Sequence, residues 1–177
     1  MTQEFILGVL YLEQFDILDK DGNATGLVAS KGSRLGRGQY YLGTHVYIFN
    51  SALEFLIQQR TFDKEFLPGG WDVHLEHTVA GETSRQCAIR GLYEEIGLLA
   101  SEADICFLGR FMWEECSHII DIYFLKADFD INKLTIEKSE VAGVKAIPKE
   151  EMINLVENMF YRPAEYRKLI LDEINRK

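Results

Sequence analysis

One capped helix between two groups of β-rich runs restricts the fold more than any other feature of the sequence. The helix signal lies in "GETSRQCAIRGLYEEIGL", residues 81–98. Thr83 and Gln86 have the spacing of a capping box, and Gly97 stands where a C-terminal glycine cap belongs. The apolar residues of this segment recur three and four positions apart, which predicts one buried stripe: Ile89, Leu92 and Ile96.

β-rich runs with turn residues between them lie on both sides of this helix. The predicted strands are "EQFDILD", "THVYIFN", "LEFLIQQR", "ICFLGRFMW", "HIIDIYFLKA" and "VAGVKAI". The second and third are joined by a short "SA" connection, so they are expected to form a hairpin. Pro148 is placed to open a helix in "KEEMINLVENM", and "PAEYRKLILDEINRK" predicts a final helix. This order predicts the α+β class, with helices packed on a mixed sheet.

The composition is that of an ordinary globular domain, and we expect one domain over residues 1–177. The chain is 47% hydrophobic and 27% charged, with a net charge of −9, which argues against a nucleic-acid polymer or an anionic membrane as partner. Three widely spaced cysteines predict no disulfide framework, so a reducing cytoplasm is the expected compartment. Residues 1–12 are an N-terminal extension in which "FILGVLYL" could form an apolar strand and seek a second copy, giving a homodimer.

The helix at 81–98 carries carboxylates that could converge on one site. Glu94 and Glu95 are adjacent, and Glu82 stands just before the first turn. Such carboxylates repel one another without a cation, and hard oxygen ligands suit Mg²⁺ or Mn²⁺ and hence phosphate chemistry. The plainer interpretation is a solvated acidic face in which Arg90 and Glu94 form an i,i+4 ion pair.

The same segment resembles the signature of the Nudix hydrolases, Gx5Ex7REUxEExGU, where U is a bulky apolar residue. Seven positions match: Glu82, Arg90, Leu92, Glu94, Glu95, Gly97 and Leu98. The stretches "FDILDKDGNATG", "GQYYLGTHVYIFNS", "LPGGWDV" and "EKSEVAGVKAIPKEEM" are similar to the branch of this superfamily akin to isopentenyl-diphosphate isomerase.

The resemblance implies a Nudix α/β/α sandwich with a mixed β-sheet and the Nudix helix. It implies hydrolysis of a phosphoanhydride bond in a nucleoside-diphosphate derivative, with Mg²⁺ or Mn²⁺ as cofactor and a small phosphorylated molecule as substrate. Glu94 and Glu95 would bind the metal ion, and Glu82 would belong to the same site. Arg90 would orient the carboxylates.

The match departs from the signature at two positions. Glu76 replaces the first glycine, and Gly91 replaces the glutamate after the arginine, which is often a metal ligand or the general base. In an exposed helix, glycine costs about 1 kcal/mol relative to alanine. The site could be degenerate and only bind, Glu76 could supply the missing carboxylate from the opposite wall, or a later loop could supply it. Glu140 is the main loop candidate, with Glu114 and Glu115 as others.

Several other residues are candidates for contact with the substrate. Lys31, Arg34 and Arg60 could bind phosphate, and His77 could bind phosphate or metal. Isomerase activity is the less expected alternative, since only His77 matches one of the isomerase's metal histidines and Tyr41 stands where another is expected. Members of the family act on sugar nucleotides, dinucleoside polyphosphates, coenzyme A, NADH or damaged nucleotides. The resemblance does not indicate which of these substrates this chain would take.

Overall fold

A computed structural model describes residues 13–177. The extension at residues 1–12, with the strand and homodimer contact predicted for it, lies outside these residues. The strands of the described part are β1 (Gln14–Leu18), β2 (Ala24–Ser30), β3 (Tyr41–Phe49), β4 (Glu54–Arg60), β5 (Trp71–Asp72), β6 (His74–His77), β7 (Ile105–Trp113), β8 (His118–Lys126) and β9 (Val141–Pro148). The helices are α1 (Ser84–Ile96), α2 (Lys149–Glu157) and α3 (Ala164–Arg176), and short 3-10 turns occupy Glu114–Cys116 and Ile131–Lys133.

Strand β3 is the point at which the main sheet divides. One of its edges pairs in parallel with β8, and β8 pairs antiparallel with β7. On the other edge, residues 43–46 pair antiparallel with β6, whereas Ile48 and Phe49 pair with β4. β4 continues the sheet through β5 and β9. Side chains of β4 and β6 therefore come together beside β3, although the two strands are separated in sequence by a loop.

Helices cover both faces of this sheet. Successive strand residues point to opposite faces, and in β3 Val46 and Ile48 pack with Leu92 of α1. Tyr47 and Phe49 pack on the other face with residues of α2 and α3. Because both faces are buried, the central strands are apolar along almost their whole length. The predicted α/β/α sandwich with a mixed sheet is confirmed.

Most predicted elements occur where the sequence placed them. The hairpin of β3 and β4 is present, with Phe49 opposite Phe55. A loop at residues 61–70 leads into β5. Strand β2 was missed; it pairs with β1 in a separate two-stranded sheet. No helix within residues 13–177 is long and apolar enough to cross a membrane.

Candidate active site

Helix α1 is held at both ends by the caps that the sequence predicts. The Thr83 hydroxyl accepts from the backbone N–H of Gln86, and the Gln86 side chain accepts from the N–H of Thr83. Gly97 adopts the left-handed conformation, with φ of 67°, and its N–H donates back into the last turn. These caps satisfy terminal backbone groups that the helix itself cannot pair, so the side chains of α1 are presented from a fixed scaffold.

Arg90 is the centre of the charged groups on α1. Its Nε and Nη2 donate to the two oxygens of Glu82 at 2.9 and 3.0 Å. Its Nη1 donates to Glu94 Oε2 at 3.1 Å and lies 3.6 Å from Glu76 Oε2. Burial would lower the pKa of Arg90, but these carboxylates, Glu82 above all, raise it further than burial lowers it. Arg90 therefore carries its charge among three carboxylates and fixes their positions.

Glu82 has both oxygens engaged, one of them also accepting from the N–H of Val79 at 3.2 Å. Its prediction as a metal ligand stays a prediction. The hydrogen bonds present favour a different task, the anchoring of Arg90.

Glu95 lies on the buried side of α1, with 8% of its surface exposed. Its Oε2 accepts from Gln58 Nε2 at 2.8 Å and lies 3.2 Å from His74 Nδ1. Burial alone would raise the pKa of Glu95, but the bonds from His74 and Gln58 hold the pKa below its usual value. Glu95 is therefore an ionised carboxylate held by one residue of β4 and one of β6.

Gly91 is buried, which corrects the expectation of an exposed helix glycine. A Cβ at this position would lie 2.7 Å from His74 Nε2 and 2.9 Å from Glu76 Cγ. His74 Nε2 is itself buried and has no hydrogen-bond partner within the described part of the chain. The cost of Gly91 cannot be read from helix propensity alone, because β6 side chains fill the space beside it.

Glu76, which replaces the signature glycine, faces the same pocket as the helix carboxylates. Its Oε1 accepts from the N–H of His77 at 2.7 Å. Burial and the nearby charge of Glu95 raise the pKa of Glu76. A carboxyl group in this position is electrostatically strained when ionised, and a bound cation would relieve the strain.

These groups share an acidic pocket with an excess of negative charge. Two cations, Lys31 and Arg90, line it together with six glutamates, Glu13, Glu76, Glu94, Glu95, Glu137 and Glu140. Among residues 13–177, no three His, Cys, Asp or Glu side chains already stand in an arrangement that would hold a metal ion. The donors nevertheless fit Mg²⁺ or Mn²⁺ in chemistry, since hard carboxylate oxygens at a site short of positive charge are the ligands these ions prefer.

Basic residues lie at the rim of this acidic pocket. Lys31 pairs with Glu13 at 2.9 Å. Lys64 lies in the loop at residues 61–70 and forms an ion pair with Glu140. Lys64 was not predicted from the sequence as a site residue. Glu140 thus lines the pocket. The alternative in which a later loop supplies the missing carboxylate requires that position.

The other predicted site residues lie apart from the acidic pocket. Arg60 donates to the carbonyl oxygen of Phe66 at 2.9 Å, and Arg34 is exposed in the loop before β3. His77 points to a second histidine, with 2.9 Å between its Nε2 and that of His118. Glu114 and Glu115 are exposed in the 3-10 turn after β7 and are not among the described residues that line the acidic pocket.

Two buried polar residues, Gln58 and His74, were missed as partners of Glu95. Gln58 follows three apolar residues of β4, His74 follows Val73, and both are buried. A buried polar side chain normally has a hydrogen-bond partner. That rule could have marked them, but it could not have identified Glu95, which comes from a helix 37 residues beyond Gln58.

Comparison with known proteins identifies the family of this chain and supports its fold. The family model described as the NUDIX domain matches residues 40–169. An uncharacterised Nudix hydrolase of Listeria monocytogenes is 34% identical over 142 residues, which cover 80% of this chain and 83% of that protein. An isopentenyl-diphosphate Δ-isomerase of Pectobacterium atrosepticum is 34% identical over 88 residues, 49% of each chain. A crystal structure from Deinococcus radiodurans is similar in fold, with a TM-score of 0.70 at 16% identity over 93% of this chain and 98% of that one.

Proposed function

The chain belongs to the Nudix family, and we propose that it hydrolyses a phosphoanhydride bond in a nucleoside-diphosphate derivative with the help of Mg²⁺ or Mn²⁺. The observation that carries this proposal is the acidic pocket, in which six glutamates face two cations. A pocket of this charge has little affinity for a phosphorylated molecule by itself, but it suits one that arrives with a divalent cation.

The residues of α1 divide metal binding and positioning between them in this proposal. Glu94 and Glu95 would hold the metal ion, Glu95 from a position fixed by Gln58 and His74. When bound, the ion would neutralise charge on the phosphates and would lower the pKa of a water molecule. Arg90, anchored by Glu82, holds the Glu94 carboxylate in position.

Residues of the other wall handle the substrate and the proton. Lys31 and Lys64 provide positive charge at the rim, where the phosphates enter. Glu140, which lines the pocket, accepts the proton of the attacking water once Lys64 turns to the phosphates. General-base catalysis of this kind contributes about 10²–10⁴-fold in rate.

The test is release of phosphate or a phosphorylated product from a panel of sugar nucleotides, dinucleoside polyphosphates, coenzyme A and NADH. Wild type, Glu95→Gln and Glu102→Gln are compared with Mg²⁺, with Mn²⁺ and with chelator. Glu102 is an exposed carboxylate just beyond α1, so its variant is the matched control. We expect metal-dependent release in wild type and Glu102→Gln that is lost in Glu95→Gln. Release that is equal in Glu95→Gln, or unchanged by chelator, would contradict the proposal.

The second candidate function is a binding or regulatory module, and glycine at position 91 is the observation that favours it. Such a module would bind a panel compound in calorimetry and give no product with either metal ion. An isomerase of the related branch has less support. By the resemblance its chemistry would use a cysteine, and none of the three free cysteines is among the described residues that line the pocket. Cys87 lies on the buried face of α1, and burial raises its thiol pKa to about 12.

A further inference from the structure

We propose that the carboxylate missing from α1 at Gly91 has been moved to strand β6, where Glu76 supplies it as a third metal ligand. The two departures from the family signature are then one reciprocal exchange, glycine to glutamate at position 76 and glutamate to glycine at position 91. This inference rests on the proposed hydrolase function and names the residue that replaces the lost helix carboxylate.

The steric relationship between the two positions is direct. A Cβ on Gly91 would approach Glu76 Cβ and Cγ to 3.0 and 2.9 Å, and His74 Nε2 to 2.7 Å. These neighbours cannot easily move aside. Glu76 belongs to a strand paired with β3, opposite Thr44, and His74 is 1% exposed and lies beside Glu95 and Gln58. The strand and the helix cannot both carry a side chain at this contact.

The carboxylate of Glu76 is aimed at the same group as a helix carboxylate. Its Oε2 lies 3.6 Å from Arg90 Nη1, and Glu94 Oε2 lies 3.1 Å from that same nitrogen. Glu76 on β6 and Glu94 on α1 thus already share one cationic group from opposite walls of the acidic pocket. Binding of a divalent cation requires carboxylates that converge in the same way.

His74 gives a second, independent indication that a ligand belongs in this space. Its Nδ1 lies 3.2 Å from Glu95 Oε2, while its Nε2 is buried, faces Gly91 and has no partner among residues 13–177. Buried polar atoms are rarely left unpaired. A hydrated cation held by the carboxylates of this pocket would supply a hydrogen-bond donor for Nε2.

The exchange predicts an unusual response to substitution of Gly91. Helix propensity alone predicts that Gly91→Ala stabilises the protein, since alanine is the better helix former. The steric contact predicts the opposite, a lower midpoint of thermal unfolding, with a smaller loss in the Glu76→Gly background. Gly109→Ala is the control, because a Cβ at Gly109 would meet only Leu169 Cδ2, at an ordinary 3.6 Å. A higher midpoint for Gly91→Ala, or an equal loss in both backgrounds, would overturn the exchange.

The metal-binding role is tested by titrating Mn²⁺ into wild type, Glu76→Gln, Gly91→Glu and Glu102→Gln, with electron paramagnetic resonance as the readout. Glu76→Gln should weaken Mn²⁺ binding at least about tenfold, Gly91→Glu should not strengthen it, and Glu102→Gln should match wild type. Unchanged Mn²⁺ affinity in Glu76→Gln, or tighter binding in Gly91→Glu, would overturn the relocation.

The Mn²⁺ titration and the turnover assay together separate this inference from the proposed function. If wild type binds Mn²⁺ and turns over while Glu76→Gln does both equally well, the hydrolase stands and the relocation falls. If wild type neither binds Mn²⁺ nor differs in turnover from Glu95→Gln, the proposed function falls and the relocated ligand falls with it. The unfolding measurements report on the steric exchange in either case.

Discussion

Arg90 and Glu82 form a two-point hydrogen-bonded pair, from Nε and Nη2 of the guanidinium to both carboxylate oxygens, at 2.9 and 3.0 Å. Two parallel bonds of this kind fix orientation as well as distance. The remaining nitrogen, Nη1, is thereby directed at Glu94. The arginine of this helix serves to hold carboxylates in place, and Glu82 holds the arginine.

Arg90→Lys should lower turnover by about 10²-fold, because a small displacement of catalytic groups has effects of that size. Lysine keeps the positive charge but cannot form the two parallel bonds to Glu82. The measurement is kcat on the best substrate of the panel. Arg85→Lys is the control, since Arg85 lies on the same helix but donates to the carbonyl oxygens of Glu102 and Ile105. Equal kcat values for the two variants would show that the geometry of Arg90 is not needed.

Asp72→Asn should destabilise the fold by about 3–5 kcal/mol, because it leaves the buried cation of Arg162 without its counter-charge. The Arg162 Nη2 donates to Asp72 Oδ2 at 2.7 Å, and both side chains are almost fully buried. Asp172→Asn is the control, since it breaks an exposed pair with Lys168 and should cost less than about 1 kcal/mol. The free energies of unfolding come from urea titrations, and similar losses in the two variants would contradict the buried pair's importance.

The stability of wild type should fall as pH drops below about 6.5, in part because of His45. Burial, and then the neighbouring Arg162 cation, hold the pKa of His45 well below its usual value of 6.5. Below about pH 6.5, His45 therefore binds a proton in the unfolded chain but stays neutral in the folded protein. The stabilisation is fully present above about pH 7 and is lost toward acid, by up to about 1.4 kcal/mol per pH unit.

His45→Gln removes that titrating group and can keep a hydrogen bond to Tyr166, whose hydroxyl lies 2.7 Å from His45 Nδ1. Its urea midpoint should therefore fall less than that of wild type between about pH 7 and about pH 5. The pKa values of His77 and His118 are also lowered, but both histidines are present in wild type and variant, so their effect cancels in the difference. Parallel curves for the two proteins would show that His45 does not contribute.

The sequence predicts those parts of the molecule whose signals are local. Thr83 and Gly97 mark the ends of α1 because a cap depends on residues within one turn of the helix. Strand β2 was missed because its residues are mostly exposed and small, so it shows no buried alternation, and its strand partner is β1. A strand of this kind has no sequence signal of its own.

The parts that the sequence did not predict depend on contacts between distant residues. Helix propensity alone makes Gly91 a loss of helix stability, whereas β6 places Glu76 and His74 against it. Likewise, Asp72 and Arg162 are 90 positions apart, and neither residue has a local pattern that would pair it with the other. The sequence indicates the helix carboxylates of this site, whereas the packing of β6 on α1 decides which side chains surround them.

The most direct test of the account is hydrolysis in ¹⁸O-labelled water with Mg²⁺, using the best substrate of the panel and mass spectrometry of the products. Attack of water on phosphorus predicts one ¹⁸O atom in a phosphate-bearing product of wild type, and no labelled product from Glu95→Gln. Wild type that forms product without ¹⁸O at phosphorus, or forms none from any compound while binding one of them tightly, would contradict a working hydrolase with glycine at position 91.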